Sequence, residues 1–264
     1  MSDEQLVTIN TDDRGIAWLT LNRPDAKNAL SDDLMQQLRQ AAGTLGKDDN
    51  VRAVVLSGTG NVFCAGGDLK DMQHQASNSR TERISDASKF ATTWREIDEL
   101  PKPLIGRVNG SAFGGGVGLM SLCDISIGLS DATYRLTEVT LGLIAATISP
   151  YVIARTGVPN ARRMMLNALP MNGELAQQLG LLDVVVDSAE ALDAAVEREI
   201  ACVLKCAPGA VASTKELIRF VSRKNFAENF DYTVNALADA WETDEIREGI
   251  DAFVTRRQPQ WIAK

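Results

Sequence analysis

The sequence predicts an α/β fold with a helical C-terminal part, and three observations carry that prediction. Short apolar runs ("VRAVVLSGTG", "KPLIGRVNG", "DISIGLS") alternate with stretches of helical periodicity. Two of these runs pass through a glycine-rich turn directly into a helix, as "VVLSGTGNVFCAGGDL" and "LIGRVNGSAFGGGVGL". Beyond Ser188 the chain is helical almost throughout, and no internal repeat or low-complexity tract interrupts it.

The elements follow in order. "LVTINTDDRGIAWLTLN" reads as a hairpin, with alternating apolar residues on either side of Asp12-Asp13-Arg14-Gly15. Ser31 is placed to cap a helix over "DDLMQQLRQAAGTLGKD", whose Leu34, Leu38, Ala41, Ala42 and Leu45 form one stripe. A strand over "VRAVVLSGTG" precedes a glycine turn and helix at "NVFCAGGDLKDM". Residues 72–90 are polar and rich in Ser, Asn and Arg, which predicts a mobile segment near a site, with a helix over roughly 86–99 after it. "KPLIGRVNG" is a buried strand and "SAFGGGVGLMSLC" a glycine turn into an apolar helix. "DISIGLS" and the short "ATYRLTEV" are further strands, Pro159–Gly180 is helical, and "LLDVVVD" is a last strand. "CAPGA" breaks the later helical pattern and suggests a boundary near 190–205, dividing a core at 1–200 from a helical region at 201–264.

Composition narrows the function. With 264 residues, 45% of them hydrophobic, the chain is long enough for one sizeable core with a small appendage. Asp and Glu outnumber Lys and Arg by 35 to 27, and no basic run occurs, which argues against a nucleic-acid partner. No apolar run approaches the ~20 residues of a membrane span. The polar, acidic start "MSDEQLVTIN" lacks the pattern of a signal peptide, so the expected location is cytoplasmic. Cys64, Cys123, Cys202 and Cys206 form no CxxC pair and His74 is the only histidine, so no metal site is expected.

The two glycine turns are the first chemical signal. A glycine turn at a helix start presents unpaired N–H groups in a positive potential, which suits a phosphate or a developing oxyanion. Close helix–strand packing is the other reading of each turn. Neither turn has the Gly-Lys-Ser/Thr of a P-loop or the spacing of a dinucleotide fingerprint. Two such turns in one domain suggest two donors converging on one oxygen. His74 reads as a solvated loop residue, leaving a carboxylate as acid or base. Glu138 is a lone acid in the largely apolar "YRLTEVTLGLI", and burial there would raise its pKa into a useful range; a surface or capping role is the alternative.

Taken together and in order, these residues resemble the crotonase (enoyl-CoA hydratase/isomerase) superfamily over nearly the whole chain. "LNRPDAKNAL" resembles its adenine-pocket loop, "FCAGGDLKDM" and "VNGSAFGGGVGLMSLCDISI" its two oxyanion-hole motifs, "TEVTLGL" its catalytic-glutamate segment, and "EGIDAFVTRRQPQW" its C-terminal helix. The resemblance implies a spiral of ββα units carrying an acyl-CoA site, followed by a helical trimerisation region. It implies a homotrimer or dimer of trimers acting on an acyl-CoA thioester, with no cofactor beyond the coenzyme A of the substrate. Gly67 and Gly115 match the oxyanion-hole donors and Glu138 the acid/base. Ala26, Lys27 and Ala65 match backbone contacts to coenzyme A, and Asp68 and Leu69 follow the first donor at the substrate site. Phe253 and Arg256 match C-terminal positions near the nucleotide. Phe113, Met120, Leu141 and Ile144 are pocket-lining candidates, with core packing as the alternative.

One departure bears on mechanism. Hydratases of this family use two glutamates, and Gly118 stands where the first would be. Three readings follow: a hydratase working through Glu138 alone, a Δ3,Δ2-enoyl-CoA isomerase in which Glu138 shuttles a proton, or an acyl-CoA binder without catalysis. "LTEVTLGLIAATISPYVIARTG" and "FGGGVGLM" resemble a bacterial methylglutaconyl-CoA hydratase-like branch of leucine degradation, which places hydration first. For such a substrate Arg135 is a candidate partner of the second carboxylate, with a surface salt bridge as the alternative. Ala145 replaces a proline common in relatives, which would loosen that turn.

Overall fold

The computed structural model describes residues 4–262; the outer ends of both expected regions, 1–3 and 263–264, lie outside the described residues. In chain order the elements are β1 (Val7–Thr11), β2 (Ile16–Leu21), α1 (Asp32–Lys47), β3 (Ala53–Gly58), β4 (Val62–Cys64), α2 (Leu69–Ser77) and α3 (Arg80–Asp98). Then come β5 (Leu104–Val108), β6 (Ser111–Phe113), α4 (Gly115–Leu122), β7 (Ile125–Leu129), β8 (Tyr134–Arg135) and a 3-10 turn at Glu138–Leu141. Last are α5 (Ser149–Met165), α6 (Gly173–Gln178), β9 (Val184–Val186), α7 (Ala189–Val203), α8 (Pro208–Arg223), α9 (Phe226–Glu242) and α10 (Asp244–Val254).

The strands form two sheets. One has the order β1-β2-β3-β5-β7-β9, the other β4-β6-β8. Among the described strands β1 and β2 pair antiparallel and the other strand pairs are parallel. Each turn of the chain thus lays one strand in each sheet (β3 and β4, β5 and β6, β7 and β8) and returns through helix, which is the spiral of ββα units. Side chains alternate along β3. Val54 and Leu56 join the large core shared with α1, α3 and α4, while Ala53 and Val55 meet Leu192, Val196 and Ile200 of α7 on the other face. Covering on both faces is why β3 reads as an unbroken apolar run.

The hairpin forms as expected: Gly15 takes φ +80°, and Asp12 Oδ1 accepts the N–H groups of Arg14 and Ile16 at 3.0 Å each. Ser31 Oγ accepts from Leu34 N at 3.3 Å, and all five residues of the predicted stripe on α1 are buried. Two expectations are corrected. Residues 72–90 are mostly helical, because Asp68 caps α2 and a capping box between Ser79 and Glu82 starts α3. Only Thr93, Trp94 and Ile97 of α3 are buried, so its first three turns carry no apolar stripe to read. The helix placed at Pro159–Gly180 instead begins at Ser149, kinks at Gly157 (φ +72°) and stops at Met165; the chain then pairs Met171 with Tyr134 before α6.

The C-terminal helices differ from the rest. α8 and α9 bury no side chain and α10 only Ala252, while Phe226, Phe230, Leu237, Trp241 and Phe253 are exposed. Arg52 ties this region to the sheet, donating to Trp261 O at 2.7 Å and Cys206 O at 2.9 Å. Among the described residues no helix is long and apolar enough to cross a membrane.

Candidate active site

The site is assembled from two turns, one from each of two successive units, packed against each other. The first follows β4. Gly66 adopts φ +89°, and a side chain there would meet Phe113 O at 2.8 Å. Its carbonyl accepts from Leu30 N at 2.7 Å, and Asp68 N donates to Leu30 O at 3.2 Å. These bonds hold Gly67 between them with its own N–H engaged by no acceptor among the described residues. The second turn follows β6. Gly114 at φ +47° reverses the chain so that Gly115 opens α4, and the Gly115 N–H is a first-turn donor without an intrahelical partner. A Cβ on Gly116 would lie 2.5 Å from Cys64 O, and one on Gly66 would lie 3.6 Å from Gly115 N. Glycine is required at these positions because the backbones themselves are in contact.

Around the turns lies a cleft of about 690 Å³. Its walls include Ala26, Lys27, Ala65, Gly67, Asp68 and Leu69 on one side, and Gly115, Glu138, Leu141 and Ile144 beyond. The structure therefore brings most of the sequence-selected residues together. Three it does not. Phe113 lies outside the lining, and its carbonyl instead backs Gly66. Phe253, on α10, is exposed and Arg256 sits past the end of that helix with φ +54°; neither reaches the cleft within one chain. Met120 is fully buried in the core. Arg135 is committed elsewhere, its Nε donating to Ala168 O at 2.6 Å.

Glu138 opens the 3-10 turn, and its carboxylate faces the second glycine turn: a Cβ on Gly114 would stand 3.2 Å from Glu138 Oε1. Oε2 is buried with no hydrogen-bond partner among the described residues. Burial raises the Glu138 pKa above the ordinary carboxylate value, against smaller opposing contributions from the N–H groups of Glu138 and Thr137. A carboxyl that burial makes more basic than usual, beside two unpaired N–H donors, is suited to proton transfer at a carbon next to a carbonyl.

Asp68 is arranged differently. Burial would push its pKa up, but the Arg23 guanidinium and the Lys70 N–H hold it below the usual range. Arg23 Nη1 donates both to Asp68 and to Ala29 O, and Asp68 Oδ1 accepts from Lys70 N at 2.8 Å. Asp68 thus caps α2 and fastens the first turn to the loop at 23–30. Within that loop Asn28 is fully buried; its Nδ2 donates to Thr59 O and Val62 O at 2.9 Å each, and its Oδ1 accepts from Arg23 N at 3.0 Å.

Among the site residues not singled out from the sequence are Arg23, Trp94, Thr147 and Ile148. All four line the cleft. Trp94 Nε1 donates to Thr147 Oγ1 at 3.2 Å, joining α3 to the segment before α5. Ile148 explains the gap at Gly118, because a Cβ there would meet Ile148 Cγ2 at 2.5 Å and Ile148 Cβ at 3.0 Å. The volume that a second acid would need is filled by isoleucine. Arg23 could have been read from its place in "LNRPDAKNAL"; the other three lie in stretches that look like ordinary core.

Comparison with known proteins agrees with this geometry. A putative enoyl-CoA hydratase from Thermus thermophilus is 32% identical over 250 residues, covering 93% of this chain and 97% of that protein. The solved structure of Pseudomonas aeruginosa AtuE is 33% identical, with a TM-score of 0.94 over 98% of this chain and all (100%) of that one. An enoyl-CoA hydratase from Shewanella pealeana is 32% identical, with a TM-score of 0.92 over 97% of this chain and 96% of the other. The match to the enoyl-CoA hydratase/isomerase family model runs over residues 11–264, and the chain belongs to that family, the crotonase superfamily.

Proposed function

We propose that this chain is an enoyl-CoA hydratase that works with a single carboxylate. The thioester oxygen accepts the N–H groups of Gly67 and Gly115, which stabilise the enolate formed when water adds across the C2–C3 double bond. In other enzymes one such donor accounts for about 3–4 kcal/mol of barrier. Glu138 takes the proton from water as the C3–O bond forms and returns that proton to C2 of the enolate, which completes the addition and leaves the carboxylate as it began. The observation that carries this reading is the Glu138 carboxylate, with one oxygen facing the second glycine turn and the other buried without a partner. Proton transfer of this kind calls for no redox or metal cofactor, coenzyme A being part of the substrate. The names of the relatives support hydration over isomerisation.

One observation favours a second reading. Ile148 occupies the space beside Gly118, so no second acid is there to hold a water. A Δ3,Δ2-enoyl-CoA isomerase needs one base to move a proton between C2 and C4, and Glu138 suffices for that. The two separate in one assay: absorbance at the conjugated thioester band falls when a 2-enoyl-CoA is hydrated and rises when a 3-enoyl-CoA is isomerised. No change with either substrate, alongside measurable binding, would leave only an acyl-CoA-binding role.

The assembly is proposed to be a homotrimer or dimer of trimers through the apolar side chains exposed on α8 to α10, which bury almost nothing within one chain. In that arrangement Phe253 and Arg256 would serve a neighbouring site rather than their own.

A further inference from the structure

We infer that the acyl end of the cleft takes an uncharged, apolar acyl chain and rejects acyl groups that end in a second carboxylate; this rests on the acyl-CoA reading above. That end is built by α3 and residues 143–148, with Phe90, Trp94, Leu143, Ile144, Ala145 and Ile148 in its lining. Its polar side chain, Thr147, already accepts the Trp94 indole N–H. The cations that line the cleft, Arg23, Lys27 and Lys70, come from the wall formed by residues 23–30 and 65–70. Of these, Arg23 is paired with Asp68, and the backbone N–H of Lys70, in the first turn of α2, donates to that same carboxylate. The two other nearby guanidinium groups point away. Arg135 donates to Ala168 O, and Arg95, next to Trp94 on α3, lines a separate cleft with Asp98 and Arg219. Lys89, next to Phe90 on α3, is exposed and paired with Asp86. A terminal carboxylate entering this end would be stripped of water and given no cation among the described residues, which is a heavy penalty. An alkyl terminus of the same shape would meet aromatic and aliphatic surface.

The test compares two saturated thioesters of matched shape: glutaryl-CoA and 5-methylhexanoyl-CoA, in which an isopropyl group replaces the terminal carboxylate. Neither can be hydrated, so the readout is binding alone, by calorimetry on the full-length chain. The expected result is at least tenfold tighter binding of 5-methylhexanoyl-CoA. In Phe90→Arg, which places a cation at this end, the preference should fall below threefold or reverse. Equal or tighter binding of glutaryl-CoA by the unmodified protein, or an unchanged preference in Phe90→Arg, overturns the inference and leaves the acyl-CoA reading standing. Binding of neither thioester overturns both.

Discussion

Replacing Gly118 by alanine tests whether the site of the missing acid is filled rather than merely empty. The added Cβ would lie 2.5 Å from Ile148 Cγ2, and the next carbon of the same side chain is at 3.0 Å. Carbon atoms pack at about 3.5–4.0 Å, so roughly 1 Å must be recovered by moving Ile148. That side chain is 3% exposed and sits at the N-cap of α5, with little room to give. Overpacking of this kind costs about 1–3 kcal/mol. Alanine regains roughly 0.5–1 kcal/mol of helix propensity over glycine in α4. The expected net loss is about 1–2 kcal/mol, read as a lower urea midpoint at unchanged slope. Ile148→Ala removes the obstructing Cγ2, so the cost of Gly118→Ala should largely vanish in that background, a coupling visible in the double-mutant cycle. If Gly118→Ala is neutral or stabilising with Ile148 intact, the space is open and the structural argument for a single-acid site fails.

Three further outcomes are expected. Because burial raises the Glu138 pKa, the native state binds a proton that the unfolded chain has already lost, and stability falls as pH rises from the unfolded value through the folded one. Glu138→Gln should therefore be more stable than the unmodified protein at neutral pH, with the difference shrinking on acidification, as thermal unfolding across pH 4–8 (roughly the span bracketing a raised carboxylate) would show. Asp68 has the opposite sign: its lowered pKa contributes stability that is lost as pH falls through the folded value, and Asp68→Ala, removing both a partly buried pair and a helix cap, should cost about 2–3 kcal/mol in urea unfolding. Phe230→Glu on the exposed face of α9 should shift the sedimentation profile toward monomer while leaving the circular dichroism unchanged, since this side chain is 61% exposed in the single chain.

The parts of this fold that could be read in advance are those where local chemistry and tertiary structure agree. The β1–β2 turn has its Asp and Gly at the required places, and α1 has both its Ser31 cap and its apolar stripe. The two glycine turns were legible because backbone contact excludes every other residue type at Gly66 and Gly116. The polar start of α3 was not, because it is held by a capping box and a few buried residues in its last turns, leaving no periodic signal. Glu138 could be singled out as an acid among apolar residues, but its orphaned oxygen is a three-dimensional fact. Gly118 showed in sequence only that an acid is missing; that Ile148 fills the space, 30 residues along the chain, depends on how α5 docks on α4. Phe253 and Arg256 were selected by resemblance, and a single chain gives them no contact with the cleft.

The central claim is that Glu138 alone moves the proton at C2 of a bound thioester. Incubating the protein with a saturated acyl-CoA in deuterated water and following C2 by NMR tests this without assuming hydration or isomerisation. The unmodified protein should incorporate deuterium at C2, and Glu138→Gln should bind the thioester with similar affinity yet slow exchange by about 10²-fold or more, as loss of a general acid/base predicts. Exchange at an undiminished rate in Glu138→Gln would contradict the account, because another group would then be carrying the proton.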